Sequence, residues 1–489
     1  PMMPPGAMKL LLVRPQVPAP LDPNFSPFIL GKHNYLKAAK DCKETLEWAL
    51  PRLGGCCGRG SLPCFPSDSE FFDATVFLAG VMIQEMFWER SASSLMLAGP
   101  QAACEKVKEA FSKGGKFEFE VLTMPKVCGT PDAAFEVKIV GSAAELPASK
   151  DIPVTCGQDA SGCRLAFDLG KSDIKTVAVK DNEVLESKET EWDVTNPDPQ
   201  YHWDMILTAL KDTASKLPKI DAIGGSATGT VSADNEATWC DIFPNVPPDV
   251  YKEKVVPIFK NLAKEFGDVP LKVINDGEVT AVAGAIMVGS GNLLGISMGS
   301  SEGGGYCNAD KNLLGWINEL CYIQLDLNPE ASTDPWTKGH TGISHKYLGQ
   351  RGATKLAAKA GVDIPEEMHP DHPNMNTMKH EGHAKCLKLI QAALKDPAKK
   401  DQVAKLYETV GVYLGYALAQ YSEPGHYKID NVIILGRVST GEGGTIMCNK
   451  AKEVLETEFP NLKDIKFHFP DEHFKRVGQC IAAAALPTV

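Results

Sequence analysis

The chain has 489 residues, 43% of them hydrophobic and 23% charged, with a formal net charge of −12. That length exceeds what one hydrophobic core serves, so two or three globular domains are expected. The acidic balance excludes a general nucleic-acid or anionic-membrane binder. No run reaches the ~20 apolar residues of a bilayer span, since "ATVFLAGVMIQEMFWER" is broken by Glu85, Glu89 and Arg90. Fourteen scattered cysteines form no CxxC pair, and vicinal Cys56-Cys57 cannot staple distant segments. They read as reduced thiols in a cytoplasmic compartment, with an organelle as the alternative if a leader preceded Pro1.

Residues 1–150 open Pro-rich and then show helical periodicity near 35–50, 71–90 and 101–112. "KFEFEVL" and "AFEVKIV" alternate as half-buried strands, and "LPRLGGCCGRGSLPCFPSD" reads as a loop by its Gly and Pro content. This is an N-terminal α+β extension without a chemical motif. It serves as a packing or oligomerisation unit, a lid, or a surface for a protein partner. A turn-rich linker follows.

From Arg164 the pattern changes. "RLAFDLGKSDIKTVAV" is a β-hairpin with Asp168 ending its first strand. "YHWDMILTALKDTASKL" is a helix, "IDAIGGSATGTV" a strand entering a Gly-rich loop, and "VYKEKVVPIFKNLAKEFG" a helix. "LKVINDGEVTAVAGAI" is a strand followed by a small-residue helix. Such alternation means a largely parallel α/β layer. "NLLGISMGSSEGGGYCNADKNLLG" then repeats the hairpin design, and a helical stretch spans 377–420. "NVIILGRVSTGEGG" gives a strand ending in another Gly-rich loop, and "HFKRVGQCIAAAAL" a last helix. One unit occurs twice, as an internal duplication. The division expected is 1–150 for the extension, 164–285 with 473–489 for one α/β domain, and 286–472 for the other.

Two hairpins with small, hydroxyl-bearing turns suit a phosphate chain held between them, because Gly and Ser let backbone N–H groups approach it. The first turn offers Asp168, Gly170, Lys171 and Ser172. The second offers Gly299, Ser300, Ser301 and Gly303 to Gly305. Asp168 would hold Mg²⁺ through water, and the metal would bridge the phosphates. Asp276 ends a strand at the side where ligands bind open α/β sheets. There it can accept the proton of a hydroxyl attacking a γ-phosphate, with Asn275 bonded to that substrate.

Asp168-Leu169-Gly170, Gly224 to Gly229, Asn275-Asp276, Gly299 to Gly305 and Gly436 onward, in this order, resemble the ROK sugar kinases of the actin/hexokinase/heat-shock ATPase superfamily. The resemblance covers about residues 164–487. It implies two duplicated actin-like ATPase (ribonuclease H-like) α/β domains around a cleft that takes ATP, Mg²⁺ and a sugar-like small molecule, and it suggests a homodimer. Carried over, Asp168 matches the phosphate-1 aspartate, Gly299-Ser300 and Gly303 to Gly305 the phosphate-2 loop, and Gly436 with Ser439 the adenosine loop. Asp276 matches the catalytic base, Asn275 a sugar-hydroxyl ligand, and Glu319 the substrate-binding glutamate. Ser226, Thr228 and Tyr322 fall on the substrate side.

Departures accompany the match. Lys171 and Arg437 replace glycines, Asp173 adds an acid, and Glu302 puts one in the phosphate-2 turn. Tyr322 stands where the family has a sugar- and zinc-binding histidine. The Cys-x-Cys-Gly-x-x-Gly-Cys knuckle is missing, so no structural zinc is expected. His380, His383 and Cys386, with His369 and His372 upstream, read as a polar helix face before a metal site. ATP-dependent phosphorylation of a sugar-like hydroxyl is the reading expected. The alternative is a non-catalytic metabolite or nucleotide sensor. A repressor is disfavoured, since no basic recognition helix precedes the core.

Overall fold

The computed structural model describes residues 3, 5–128, 133–155, 159–171, 173–369, 380–470 and 472–488. Ser172 and His372, named above, lie outside them. The first region holds α1 (Pro5–Leu11), α2 (Phe28–Ala38), β1 (Glu44–Pro51), β2 (Cys57–Cys64), α3 (Phe72–Arg90), β3 (Ser94–Ala98), α4 (Gln101–Ala110), α5 (Glu118–Val127) and β4 (Glu136–Ile139). Its sheet runs β2-β1-β3-β4.

Three expectations change here. The periodicity near 35–50 divides into α2 and strand β1, where Leu46, Trp48 and Leu50 alternate into the core. The presumed loop carries β2, an edge strand that tolerates Pro63. Its Gly60 lies flat under the Trp48 ring, where a Cβ would overlap the indole. "KFEFEVL" enters α5 instead of a strand. Its buried set of Phe119, Glu120, Thr123, Met124 and Val127 has helical spacing that extends past the alternating run.

The first lobe follows with β5 (Cys163–Leu169), β6 (Asp173–Lys180), β7 (Glu183–Glu191), α6 (Pro199–Ala214), β8 (Ala222–Ala227), β9 (Thr230–Val231), β10 (Ala237–Trp239), α7 (Pro248–Val250), α8 (Ile258–Glu265), β11 (Leu271–Asn275) and α9 (Asp276–Val288). Its five-stranded sheet has the order β11-β8-β5-β6-β7, parallel from β11 to β5 and antiparallel beyond. β5 is buried at every position, as a central strand covered on both faces must be.

The second lobe holds β12 (Leu293–Met298), β13 (Glu302–Cys307), β14 (Thr333–Asp334), β15 (His340–Thr341), α10 (Gln350–Ala357), α11 (His380–Leu394), α12 (Lys400–Tyr421), β16 (Asn431–Leu435), α13 (Gly441–Glu458) and β17 (Lys466–His468), and the last helix, α14 (Glu472–Ala484), returns to the first lobe. Its sheet runs β13-β12-β16-β17, the first lobe's order without the outermost strand. The repeated order makes this a pair of duplicated α/β lobes around a cleft. Of the helical stretch 377–420, residues 377–379 lie outside the described residues and the rest carries two helices, α11 and α12.

Helix α9 lies between the lobes, which explains its small residues. Gly284 packs on Ile433 and Leu293, and Gly277 meets Gly304 backbone to backbone. α14 packs on α9, β5 and β8 and ends in the alanine run that closes this inner layer. Trp48, Phe87 and Trp88 of the first region share one continuous apolar core with Leu294, Tyr347 and Leu418 of the second lobe. The outer half of the first lobe, around Phe167, Ile206 and Phe259, has its own. Among the described residues no helix is long and apolar enough to cross a membrane.

Candidate functional site

A cavity of ≈ 400 Å³ opens between the lobes. It is lined by Asp168, Gly170 and Lys171 of the first turn, Thr228 and Gly229 after β8, Asn275 and Asp276 at the start of α9, Gly299 to Gly304 of the second turn, and Asn318, Glu319 and Tyr322.

Asp168 ends β5 opposite Ser226 in register, and is 5% exposed. Burial pushes its carboxyl up to about 6, while the Lys175 ammonium, 3.8 Å away, pulls the other way. Lys175 also reaches Asp173 at 3.3 Å, and Lys171 reaches Asp241 at 3.3 Å. Ser226 is wholly buried in β8, behind the cavity wall. The turn is braced from its own lobe: Trp192 Nε1 donates to the Gly170 carbonyl at 2.9 Å.

At α9 the chain builds a capping box. Asn275 Oδ1 accepts from the Gly277 N–H at 2.7 Å, and Glu278 reaches back to the Asn275 backbone. Asn275 Nδ2 donates to the Gly229 carbonyl at 2.8 Å. Its amide keeps one N–H and one lone pair for a ligand. Asp276 accepts from Thr228 Oγ1 at 3.0 Å and from the Gly277 N–H at 2.9 Å. Burial pushes its carboxyl above the ordinary range, against these two hydrogen bonds.

The second turn separates two kinds of glycine. A Cβ on Gly305 would collide with the Gly277 backbone and one on Gly277 with the Gly304 backbone, so contact between β13 and α9 dictates both. Among the described residues, a Cβ on Gly299 or Gly303 meets no atom nearer than 3.7 Å, so those residues do not require glycine there. Gly299 is fixed by its N–H to the Ser301 carbonyl at 3.0 Å and by the Gln350 N–H to its carbonyl at 2.9 Å. The acid in this turn is directed into the second lobe: Glu302 accepts from Ser344 Oγ and from Tyr421 OH, and burial pushes it up to about 7.

Glu319 and Tyr322 are held by the first region. The last carbonyls of a helix lack intrahelical partners, and in α3 two of them are taken by this segment. The Glu319 N–H donates to Trp88 O at 2.8 Å and the Asn318 N–H to Glu89 O at 2.9 Å. The Tyr322 ring lies 4.2 Å from Trp88 and 5.6 Å from Phe119, centroid to centroid. Burial, then the nearby Asp276 and Asp241 charges, push Glu319 up to about 8.

Gly436, Arg437 and Ser439 form the turn after β16 and do not line this cavity. Gly436, at φ 95°, backs onto the Met298 backbone. Ser439 Oγ donates to Gly436 O at 2.9 Å, and Gln391 Nε2 donates to Arg437 O at 2.9 Å. Asp241, Lys175, Trp239, Cys321 and Gln479 line the cavity without having been singled out in the sequence. None sits in a motif, although Lys175 and its β5 neighbour Asp168 were readable as a register pair once the hairpin was placed. Of the α11 ligand candidates, His383 and Cys386 are buried in the second lobe and not on a polar face, with His383 Nδ1 3.2 Å from Thr354 Oγ1.

No protein-family model matches the sequence, and no curated protein matches it. Solved structures do. A ROK-family transcriptional regulator, a homologue of the E. coli MLC protein, aligns at a TM-score of 0.50 with 17% identity over 66% of this chain and 78% of its own. A ROK glucokinase from Streptomyces griseus, solved with glucose and AMPPNP, gives 0.47 with 17% identity over 67% of this chain and 99% of its own. A ROK hexokinase from Thermus thermophilus gives 0.47 with 16% identity over 66% and 97%. Strand order and the regulator's alignment agree, and the chain has a ROK-like two-lobed fold.

Proposed function

We propose that the protein transfers the γ-phosphoryl group of ATP, with Mg²⁺, to a hydroxyl of a sugar or sugar-like small molecule, and that Asp276 is the general base. The observation that carries this reading is the convergence of Asp276, Asp168 and both glycine-bearing turns on one cavity. The residues suit the nucleotide. Gly299 and Gly303 leave open the space a Cβ would take, and Asp168 is a buried carboxylate whose nearest counter-charge is a lysine at 3.8 Å. Asp168 would hold Mg²⁺ through water, and the metal supplies charge neutralisation on the phosphates. Gly170, Lys171, Ser300 and Ser301 would face the phosphates from the two lobes, and Glu302 does not oppose them because its carboxylate is directed elsewhere.

On the acceptor side, Thr228 and the Gly277 N–H orient the Asp276 carboxylate so that one lone pair can receive the hydroxyl proton. Burial makes that carboxylate a stronger base than one in water. Asn275 and Glu319 would fix neighbouring hydroxyls. Closure of the lobes would exclude water from the reaction. The test is Asp276→Asn, with hexoses and polyols as acceptors. Phosphoryl transfer should fall by about 10²–10⁴-fold with nucleotide affinity kept, and unchanged turnover ends the assignment.

One observation favours a second reading, a non-catalytic binder: the turn matched to the adenosine loop lies outside the cavity, its Arg437 carbonyl already taken by Gln391. Calorimetry with ATP and Mg²⁺ separates the two. Absence of nucleotide binding selects the sensor.

A further inference from the structure

A second chamber, of ≈ 350 Å³, lies against the first and shares Gly229, Asn275 and Glu319 with it. Its character is opposite. The cleft is lined by Asp168, Asp241, Asp276 and Glu319. The chamber is lined by Val231, Ile274 and Ile317 from the lobes and by Val127, Cys128 and Ile152 from the first 155 residues. Several of the polar groups at its rim are already bonded within the protein, while Arg52 Nε has no hydrogen-bond partner among the described residues. Arg52 Nη1 and Trp316 Nε1 both donate to Asp151 Oδ1, at 2.9 and 2.8 Å, and Glu278 closes the capping box of α9. Such a wall offers a ligand apolar contact and little hydrogen bonding. An apolar void of roughly 150 Å³ already holds a benzene ring, so this one admits a substituted ring or a short acyl chain. Ile152 is 45% exposed among the described residues.

We infer that this chamber takes an apolar substituent of the acceptor whose hydroxyl lies at Asp276, so that the substrate is a sugar or polyol derivative with a ring-sized apolar group. The inference rests on the acceptor reading of the cleft. Three shared residues put the two spaces side by side, and a ligand spanning them must be hydroxyl-rich at one end and apolar at the other. The first 155 residues supply part of the apolar wall, which gives them a part in substrate selection.

The test compares 4-nitrophenyl β-D-glucopyranoside, methyl β-D-glucopyranoside and free 4-nitrophenol by calorimetry on the full chain. Ile152→Trp and Val231→Trp fill the chamber, and their melting curves show that each is folded. The aryl glucoside should bind the wild type at least about tenfold more tightly than the methyl glucoside. Either filling variant should remove that advantage and leave methyl glucoside affinity unchanged. Equal affinities in the wild type, or an advantage that survives both variants, overturn the inference. If neither glucoside binds but 4-nitrophenol does, and is lost in both variants, the apolar site stands and the acceptor reading falls. If 4-nitrophenol does not bind either, the chamber is not a site.

Discussion

The two lobes open with the same hairpin and part company after it. In the first, β6 turns back through Asp181 and Asn182, at φ 50° and 67°, into β7. Two consecutive left-handed residues of this kind make the tight turn that suits twisted antiparallel strands. Trp192, just beyond β7, then returns to brace the turn beside Asp168. In the second lobe no third strand follows β13 in the sheet among the described residues. The chain instead reaches the end of α3, where Trp88 and Glu89 receive the amides of Glu319 and Asn318. One lobe braces its half of the cleft with its own tryptophan, and the other borrows Trp88 from the extension. The first 150 residues thus stand behind the cleft wall that carries Glu319 and Tyr322, and they share a core with the second lobe.

The comparison breaks most easily at Trp88. Trp88→Ala removes the ring under Tyr322 and the Nε1 bond to Glu120 Oε1 at 3.0 Å. It should cost about 3–5 kcal/mol in urea unfolding, and it should weaken acceptor binding more than nucleotide binding, since the first turn keeps Trp192. An equal loss on both sides would show that the lobes do not brace their halves independently.

Glu319 sharpens the same point through pH. Its folded-state value of about 8 lies above the ordinary 4.5. Folding therefore favours the protonated acid, and stability falls as pH rises from about 4.5 through 8. Glu319→Gln stays neutral, so its stability curve should descend less than the wild type's over that range, where Asp168 and Glu302 still titrate, and end higher at pH 9, by an amount on the order of a few kcal/mol. Parallel curves for wild type and variant would mean that the borrowed wall does not bury this acid.

The second turn gives a smaller contrast within one hairpin. Gly305→Ala forces a Cβ into the Gly277 backbone and should destabilise by about 1–3 kcal/mol. Gly303→Ala meets only Ser297, at 3.7 Å. It should leave the melting temperature nearly unchanged and lower nucleotide affinity, measured by calorimetry. If both act on stability alone, the turn is packed structure and no cradle.

What the sequence disclosed divides along the same line. The hairpins at Asp168 and Gly299, the strand into Asn275-Asp276 and the small helix behind it were legible because each is local: a period, a turn residue, a cap. β2 was not, because Gly58, Gly60 and Pro63 look like loop until Trp48 is known to cover Gly60. α5 was misread because Phe117 and Phe119 alternate for too few residues to fix a period. The partners of Glu319 and Tyr322 were out of reach, since backbone donation from residue 319 to residue 88 has no local signature. Nor could the direction of Glu302 be read, which depends on Ser344 and Tyr421.

The smallest effect tests the first turn. Lys171 stands where the resemblance has glycine, 39% exposed and 3.3 Å from Asp241, itself 52% exposed. A pair so placed is screened by water and adds little to stability. Lys171→Ala should therefore shift unfolding by under about 0.5 kcal/mol. If Lys171 reaches toward phosphate when nucleotide binds, the same substitution should raise the nucleotide KM several-fold, more at low than at high ionic strength, because the lost attraction is the kind that salt screens. If instead the side chain only obstructs the turn, KM should fall. The sign of the change in KM therefore says whether this departure from glycine serves the nucleotide or excludes it, and the opposite sign to the one expected would make the first lobe's turn the weaker half of the clamp.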